Sequence, residues 1–292
     1  MKQFFRFAAV AFLVILTGSL SVTLDAMNWP SESAVLLRNF GSNDRGKPVL
    51  GMIFSGETEI LAAERGEIIF SRDRNDIASR LPSPLGAWTA VDHGDGLISI
   101  YSRYADEAQT EETPSLTRVE KSQLIASSGT SGWSSRTGFN FIIFDRRERR
   151  WINPAMLVTP VRSTRSPQII SVDLLNAQGT STQMRNLTQG NYTVVVNTVS
   201  PAVQGSILAP HRIICLVNGA EAGMLNFEAF SARDGILMAF RNRLVPVRQV
   251  YESFPAFRTA EIFLSRGQAT LEIIVQDMEG NSSSSITRLI VN

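Results

Sequence analysis

Gly138-Phe139-Asn140-Phe141-Ile142-Ile143-Phe144-Asp145 is a short apolar run held between a glycine and an aspartate, and it reads as a β-strand. Upstream, Ile68-Ile69-Phe70 and Leu97-Ile98-Ser99-Ile100-Tyr101 have the same form, separated by Gly, Asp and Ser punctuation. Helix-period segments are scarce: the clearest runs from Asn75 to Leu81 and stops at Pro82. Downstream the pattern is strand-like again in Ile169 to Leu175, Tyr192 to Val196, His211 to Val217, Ala269 to Val275 and Ile286 to Val291. Asn176-Ala177-Gln178-Gly179 and Asp277-Met278-Glu279-Gly280-Asn281 mark turns between them, where Gly or Asn adopts positive φ without strain. The fold class predicted is all-β, with an antiparallel sandwich in the second half.

The chain of 292 residues is 43% apolar and 19% charged with a formal net charge of +1, the profile of a globular protein rather than a disordered one. At about 150 residues per domain that length suggests two domains. Their boundary is expected in the polar, proline-bounded stretch Pro160-Val161-Arg162-Ser163-Thr164-Arg165-Ser166-Pro167, giving a first domain over 27–160, a linker over 161–167 and a second domain over 168–292. The balance of 28 Lys and Arg against 27 Asp and Glu leaves no electrostatic footprint for nucleic acid or for an anionic membrane. Cys215 is the single cysteine, so no intrachain disulfide forms, and its neighbours Ile213, Ile214, Leu216 and Val217 make it read as a buried apolar residue.

At the N-terminus, Lys2 and Arg6 precede the apolar run Phe7 to Leu16, which matches a signal-peptide core and is short for a membrane span. Small residues at Ser19-Leu20-Ser21 and Leu24-Asp25-Ala26 offer cleavage sites, so residues 1–26 are expected to be a signal peptide and the mature chain to begin near Val22 or Met27. An uncleaved anchor is the alternative, and it is the one route by which the chain would touch a membrane. Either reading exports the body of the protein to the periplasm or cell envelope.

Three further stretches carry a resemblance. They are Ile60-Leu61-Ala62-Ala63-Glu64-Arg65-Gly66-Glu67-Ile68, Val91-Asp92-His93-Gly94-Asp95-Gly96-Leu97 running on through Tyr104, and Val119 to Gly132; the strand from Gly138 then leads to Ile152-Asn153-Pro154. Over roughly Gly41 to Pro160 this succession resembles the lysostaphin-like zinc metallopeptidase domain, whose members cleave peptide cross-links in bacterial cell walls. The resemblance implies a duplicated hybrid motif on a central antiparallel sheet. The second half resembles bacterial immunoglobulin-like modules that end in an Asp-x-x-Gly-Asn turn and a last strand, without the Cys/Trp/Cys signature of antibody domains.

A catalytic zinc needs three protein ligands and an open position for water. In the resembled family these come from a His-x-x-x-Asp motif and the second His of a His-x-His motif. Alignment on Gly51 and Phe54 puts Val49 and Ile53 at the first pair and Gly138 and Asn140 at the second, so the ligand set is degenerate and neither a metal nor any other cofactor is expected. Arg103 falls at a further family histidine, and an always-protonated guanidinium cannot act as a base there.

Only two histidines occur: His93 reads as a turn residue and His211 as a strand-end residue. Asp92, Asp95 and the polar insertion Asp106 to Pro114 read as solvated turns. Ser127 to Gly132 reads as a glycine turn rather than a phosphate cradle, and Arg146-Arg147-Glu148-Arg149-Arg150 as a solvated hairpin tip. The expected role is a non-catalytic cell-envelope protein that binds peptidoglycan, or regulates or scaffolds a cell-wall hydrolase, through a degenerate groove lined by Tyr101, Arg103 and Asn140 with Trp133 and Ser135 beside it. Degenerate family members that activate separate amidases are the precedent. Two other readings stay open. One is an active wall endopeptidase that recruits His93, Asp92, Asp95 or Asn140 as unorthodox ligands, and the other is a purely structural module of an envelope complex.

Overall fold

The computed structural model describes residues 26–44, 46–72, 81–105, 117–158, 166–182, 184, 187–201 and 206–292. The N-terminal apolar run, most of the Asn75 to Leu81 segment, the Asp106 to Pro114 insertion and residues 160–165 of the linker stretch lie outside the described residues.

Among the described residues the regular structure is β, with two single-turn 3-10 segments and no α-helix. One 14-stranded sheet follows the order β24 (Ser282–Val291), β23 (Gly267–Gln276), β17 (Arg212–Val217), β18 (Ala220–Arg233), β12 (Arg150–Ile152), β11 (Gly138–Asp145), β8 (Leu97–Tyr104), β7 (Ala87–Asp92), β6 (Gly66–Arg72), β9 (Arg118–Val119). Branching from it, β4 (Met52–Ser55) pairs with β11 and with β1 (Val35–Arg38), while β19 (Ile236–Arg241) pairs with β18 and β20 (Arg243–Pro246). A 6-stranded sheet is built from β14 (Ser181–Thr182), β13 (Gln168–Leu175), β15 (Gly190–Pro201), β22 (Ala256–Leu264) and β21 (Tyr251–Ser253), with β16 (Ile207–Leu208) on β15. Two small pairs complete the fold, β5 (Glu59–Leu61) with β10 (Leu124–Ser127) and β2 (Asn43–Asp44) with β3 (Lys47–Pro48). All named pairings are antiparallel, as expected of short strands joined by glycine- and asparagine-rich turns.

The described residues form two hydrophobic cores. In the first, period-two alternation sends Phe139, Phe141 and Ile143 of β11 inward with Met52 and Phe54 of β4 and Tyr101 of β8. Phe54 stacks on Phe139 with ring centroids 4.7 Å apart, and Tyr101 lies 5.3 Å from Phe141. Burying each of these rings contributes about 1.5–3 kcal/mol. The second core lies between the 6-stranded sheet and the β24-β23-β17-β18 part of the large sheet, and Cys215 is one of its buried members. Burial alone pushes the Cys215 thiol up to about 12, so it stays protonated and serves as packing.

The sheet does not stop between the two halves. β12 pairs with β11 on one side and with β18 on the other, opposing Trp151 to Phe144 and to Phe230. Asn153, 2% exposed, donates from its backbone N to the Glu228 carbonyl at 2.8 Å and from Nδ2 to the Phe227 carbonyl at 2.9 Å. Phe40, from the sequence before β2, is fully buried in the second core and stacks on Phe230 at 4.6 Å. Asn39 beside it exchanges two hydrogen bonds of 2.8 Å with the backbone of Ala209. Gly41 follows at φ +79°, and a Cβ there would run into the Phe227 ring, so this junction requires glycine.

Candidate functional site

Of the residues that the family resemblance singles out, Ile53, Arg103, Ser135, Gly138 and Asn140 meet in one pocket of about 240 Å³, lined also by Arg38, Asp44, Ser134, Arg136 and Thr137. Register explains the convergence. Ile53 of β4 stands opposite Asn140 of β11, Asn140 opposite Ser102 of β8, and Ser102 opposite Trp88 of β7. Directly opposed residues of antiparallel strands share a face, so these four form one row on the side of the sheet away from the first core. At the end of the row Trp88 stacks on the partly exposed Phe70 with centroids 4.3 Å apart.

The row carries two orphaned polar atoms. Asn140, in the pocket lining, is 7% exposed, and its cross-strand neighbour Ser102, outside that lining, is fully buried; among the described residues neither Asn140 Oδ1 nor Ser102 Oγ has a hydrogen-bond partner. Buried polar atoms are almost always paired, because leaving one orphaned costs about 1–3 kcal/mol.

Arg103 reaches the pocket by a break in the strand. Trp88 opposes Ser102 while Ala87 opposes Tyr104, so Arg103 is an extra residue in β8, and its φ of +67° is left-handed. Its backbone N donates to the Leu85 carbonyl at 2.8 Å. Such a conformation in a long side-chain residue costs on the order of 1 kcal/mol and occurs where surroundings enforce it. The bulge turns both Tyr101 and Tyr104 into the core while Arg103 lines the pocket.

The expectation for Tyr101 is therefore corrected. Its ring is fully buried in the first core, and its hydroxyl accepts from Ala63 N at 2.8 Å. Burial pushes that phenol up to about 12. Trp133 is 62% exposed and stands outside the pocket lining, on the loop that contributes Ser134 and Ser135. Val49 also lies away from the pocket: it is 7% exposed and hydrogen-bonded through its backbone to Ser42 and Gly41. Arg38, Asp44 and Arg136 had no signal in sequence; the pairing of β1 with β4 and the loop before β11 bring the two arginines in.

A zinc ion does not fit these residues. Of the aligned ligand positions, Ile53 has no donor atom, Gly138 no side chain and Val49 no place in the pocket. A Cβ built on Gly138 would run into the Phe54 carbonyl oxygen, so no histidine is accommodated there. Among the described residues the lining holds one carboxylate, Asp44, against three guanidinium groups, which repel a cation. Among the described residues no group of three or more His, Cys, Asp or Glu is placed to hold a metal.

The remaining candidates are engaged elsewhere. His93 Nδ1 lies 2.8 Å from the Arg65 carbonyl, so that nitrogen carries the proton, and Nε2 accepts from Ser99 Oγ at 2.7 Å. Burial, ahead of the opposing Arg65, Glu64 and Asp92 contributions, holds this imidazole below its ordinary value. Asp92 Oδ1 accepts from Gly94 N within the turn, and Asp95 pairs with Arg147 at 3.0 Å. His211 is likewise lowered by burial and by Arg212. The Arg146 to Arg149 stretch is the exposed tip of the β11–β12 hairpin, anchored by Asp145, whose Oδ1 accepts from the backbone N of Arg147 and Glu148.

Several solved structures are similar to this chain. The SpoIIQ–SpoIIIAH pore-forming complex contains a chain 16% identical, aligned over 47% of this chain and 92% of that one with a TM-score of 0.36. The catalytic domain of the prophage-encoded M23 protein EnpA from Enterococcus faecalis is 16% identical over 44% of this chain and 94% of its own, TM-score 0.34. Helicobacter pylori Csd3 is 17% identical over 47% of this chain and 34% of its own, TM-score 0.36. A family model matches residues 166–292, the part of the chain that holds β13 to β24. No curated protein matches the chain.

Proposed function

We propose that this chain is an exported, non-catalytic cell-envelope protein that binds peptidoglycan, or a cell-wall hydrolase or other envelope protein, through the Arg103–Asn140 pocket. The carrying observation is the donor set. Where the resembled peptidases need zinc ligands, this pocket offers Ile53, Gly138 and Asn140, framed by arginines. A concave site with convergent polar groups still recognises a ligand when it cannot activate water. The second, immunoglobulin-like sandwich serves as a mount, tied to the first region through β12, Asn39 and Asn153.

Unorthodox metal ligation is the less supported reading. His93 spends both ring nitrogens on Arg65 and Ser99, and Asp92 and Asp95 line no part of the pocket that holds Asn140.

Co-sedimentation of the full chain with purified sacculi tests the proposal, with a panel of envelope hydrolases as the second arm. Retention by either, falling at least tenfold (about 1.4 kcal/mol) when Ile53→Arg fills the pocket, supports it. Retention that ignores the filled pocket in both arms contradicts it.

A further inference from the structure

We infer that the pocket is a carboxylate site that takes the free C-terminal end of a short peptide. This rests on the reading of the pocket as a ligand site and adds what the ligand must carry.

Charge makes the first half of the argument. Arg38 on β1, Arg103 on the β8 bulge and Arg136 on the loop before β11 line one small pocket, where Asp44 is the one carboxylate among the described residues. Among the described residues neither Arg38 nor Arg136 forms an ion pair; Arg38 donates from one terminal nitrogen to the Leu37 carbonyl, and its Nε is buried without a partner. Guanidinium groups keep their charge at any physiological pH, and their planar pair of N–H donors matches a carboxylate.

Asn140 supplies the second half. Asn140 is more than nine-tenths buried and lines the same pocket, and among the described residues its Oδ1, itself closed to solvent, accepts no hydrogen bond. An acceptor of that kind is of no use to an isolated anion, which has no proton to donate. It suits a ligand in which an N–H stands next to the anion, as the last amide N–H of a peptide stands next to the terminal carboxylate. The arginines then hold the carboxylate, and the Asn140 amide, turned so that Oδ1 faces the pocket, accepts from that N–H.

Calorimetric titration of the full chain with N-acetyl-dialanine, as the L,L and D,D forms and their C-terminal amides, tests this. Binding by a free acid, weakened at least about tenfold by amidation and by Arg136→Gln, is expected. Arg136 is exposed on a loop, so that variant keeps the fold, and Arg38→Gln provides a second reading. Preference for the D,D form points to a wall peptide and preference for the L,L form to a protein C-terminus. Equal binding of acid and amide overturns the inference, as do indifference to both arginine variants and inorganic phosphate competing as well as the acid peptide. Retention on sacculi with no dialanine binding in the same preparation removes this inference and leaves the proposed function standing; dialanine binding without retention by sacculi or hydrolases does the reverse.

Discussion

At the residue scale, His93 ties pH to stability. Because burial lowers its folded-state pKa from the ordinary 6.5, the unfolded chain takes up a proton that the folded chain refuses as pH falls through that value. The sign is destabilising towards acid, and His211 acts in the same sense. The urea midpoint is therefore expected to drop between about pH 7.5 and pH 5.5, and to drop less in His93→Gln. An unchanged slope in the variant would count against the buried neutral imidazole. Gly138→His places the first histidine of a His-x-His pair where a Cβ meets the Phe54 carbonyl. It is expected to cost about 3 kcal/mol, read as a fall in the same urea midpoint, and to create no zinc site.

At the element scale, β8 and β11 show what sequence reveals and what it hides. The Gly138 to Asp145 run was legible because apolar residues fill it from end to end between a glycine and an acid, and the structure makes it the strand that joins β4, β8 and β12. Asn140 and Ile53, set at ligand positions by resemblance alone, are cross-strand neighbours. Tyr101 was not legible as core. Nothing in Tyr101-Ser102-Arg103-Tyr104 signals that the chain inserts one residue at Arg103, a left-handed bulge that glycine would ordinarily occupy. Arg38 and Arg136 were hidden for a related reason, since only long-range pairing assembles a pocket wall. Truncation of the β11 core, Phe141→Ala, is expected to cost about 3–5 kcal/mol in chemical denaturation, whereas Ser135→Ala at the pocket rim should cost under about 0.5.

At the scale of the whole molecule, the two halves are joined through their sheets and their cores. The large sheet runs through β12 into β18, Phe40 sits in the second core, and Asn39 and Asn153 bond across the junction. Thermal unfolding is accordingly expected as one cooperative transition with matching calorimetric and van't Hoff enthalpies. Asn153→Ala, which removes the Phe227 bond and the cap on Ala155, is expected to lower stability by about 2 kcal/mol and to begin separating that transition into two. Two transitions in the parent chain would mean that the junction is weaker than its buried contacts imply.

The central claim is that this pocket works with arginines and an amide where a zinc peptidase needs metal ligands. Zinc titration by calorimetry, after chelation and dialysis of the full chain, tests it most directly. No stoichiometric site at micromolar zinc is the result expected from a lining whose described residues bring one carboxylate and three guanidinium groups. Tight one-to-one binding that disappears in Asn140→Ala would contradict the account and place a metal where we place a peptide end.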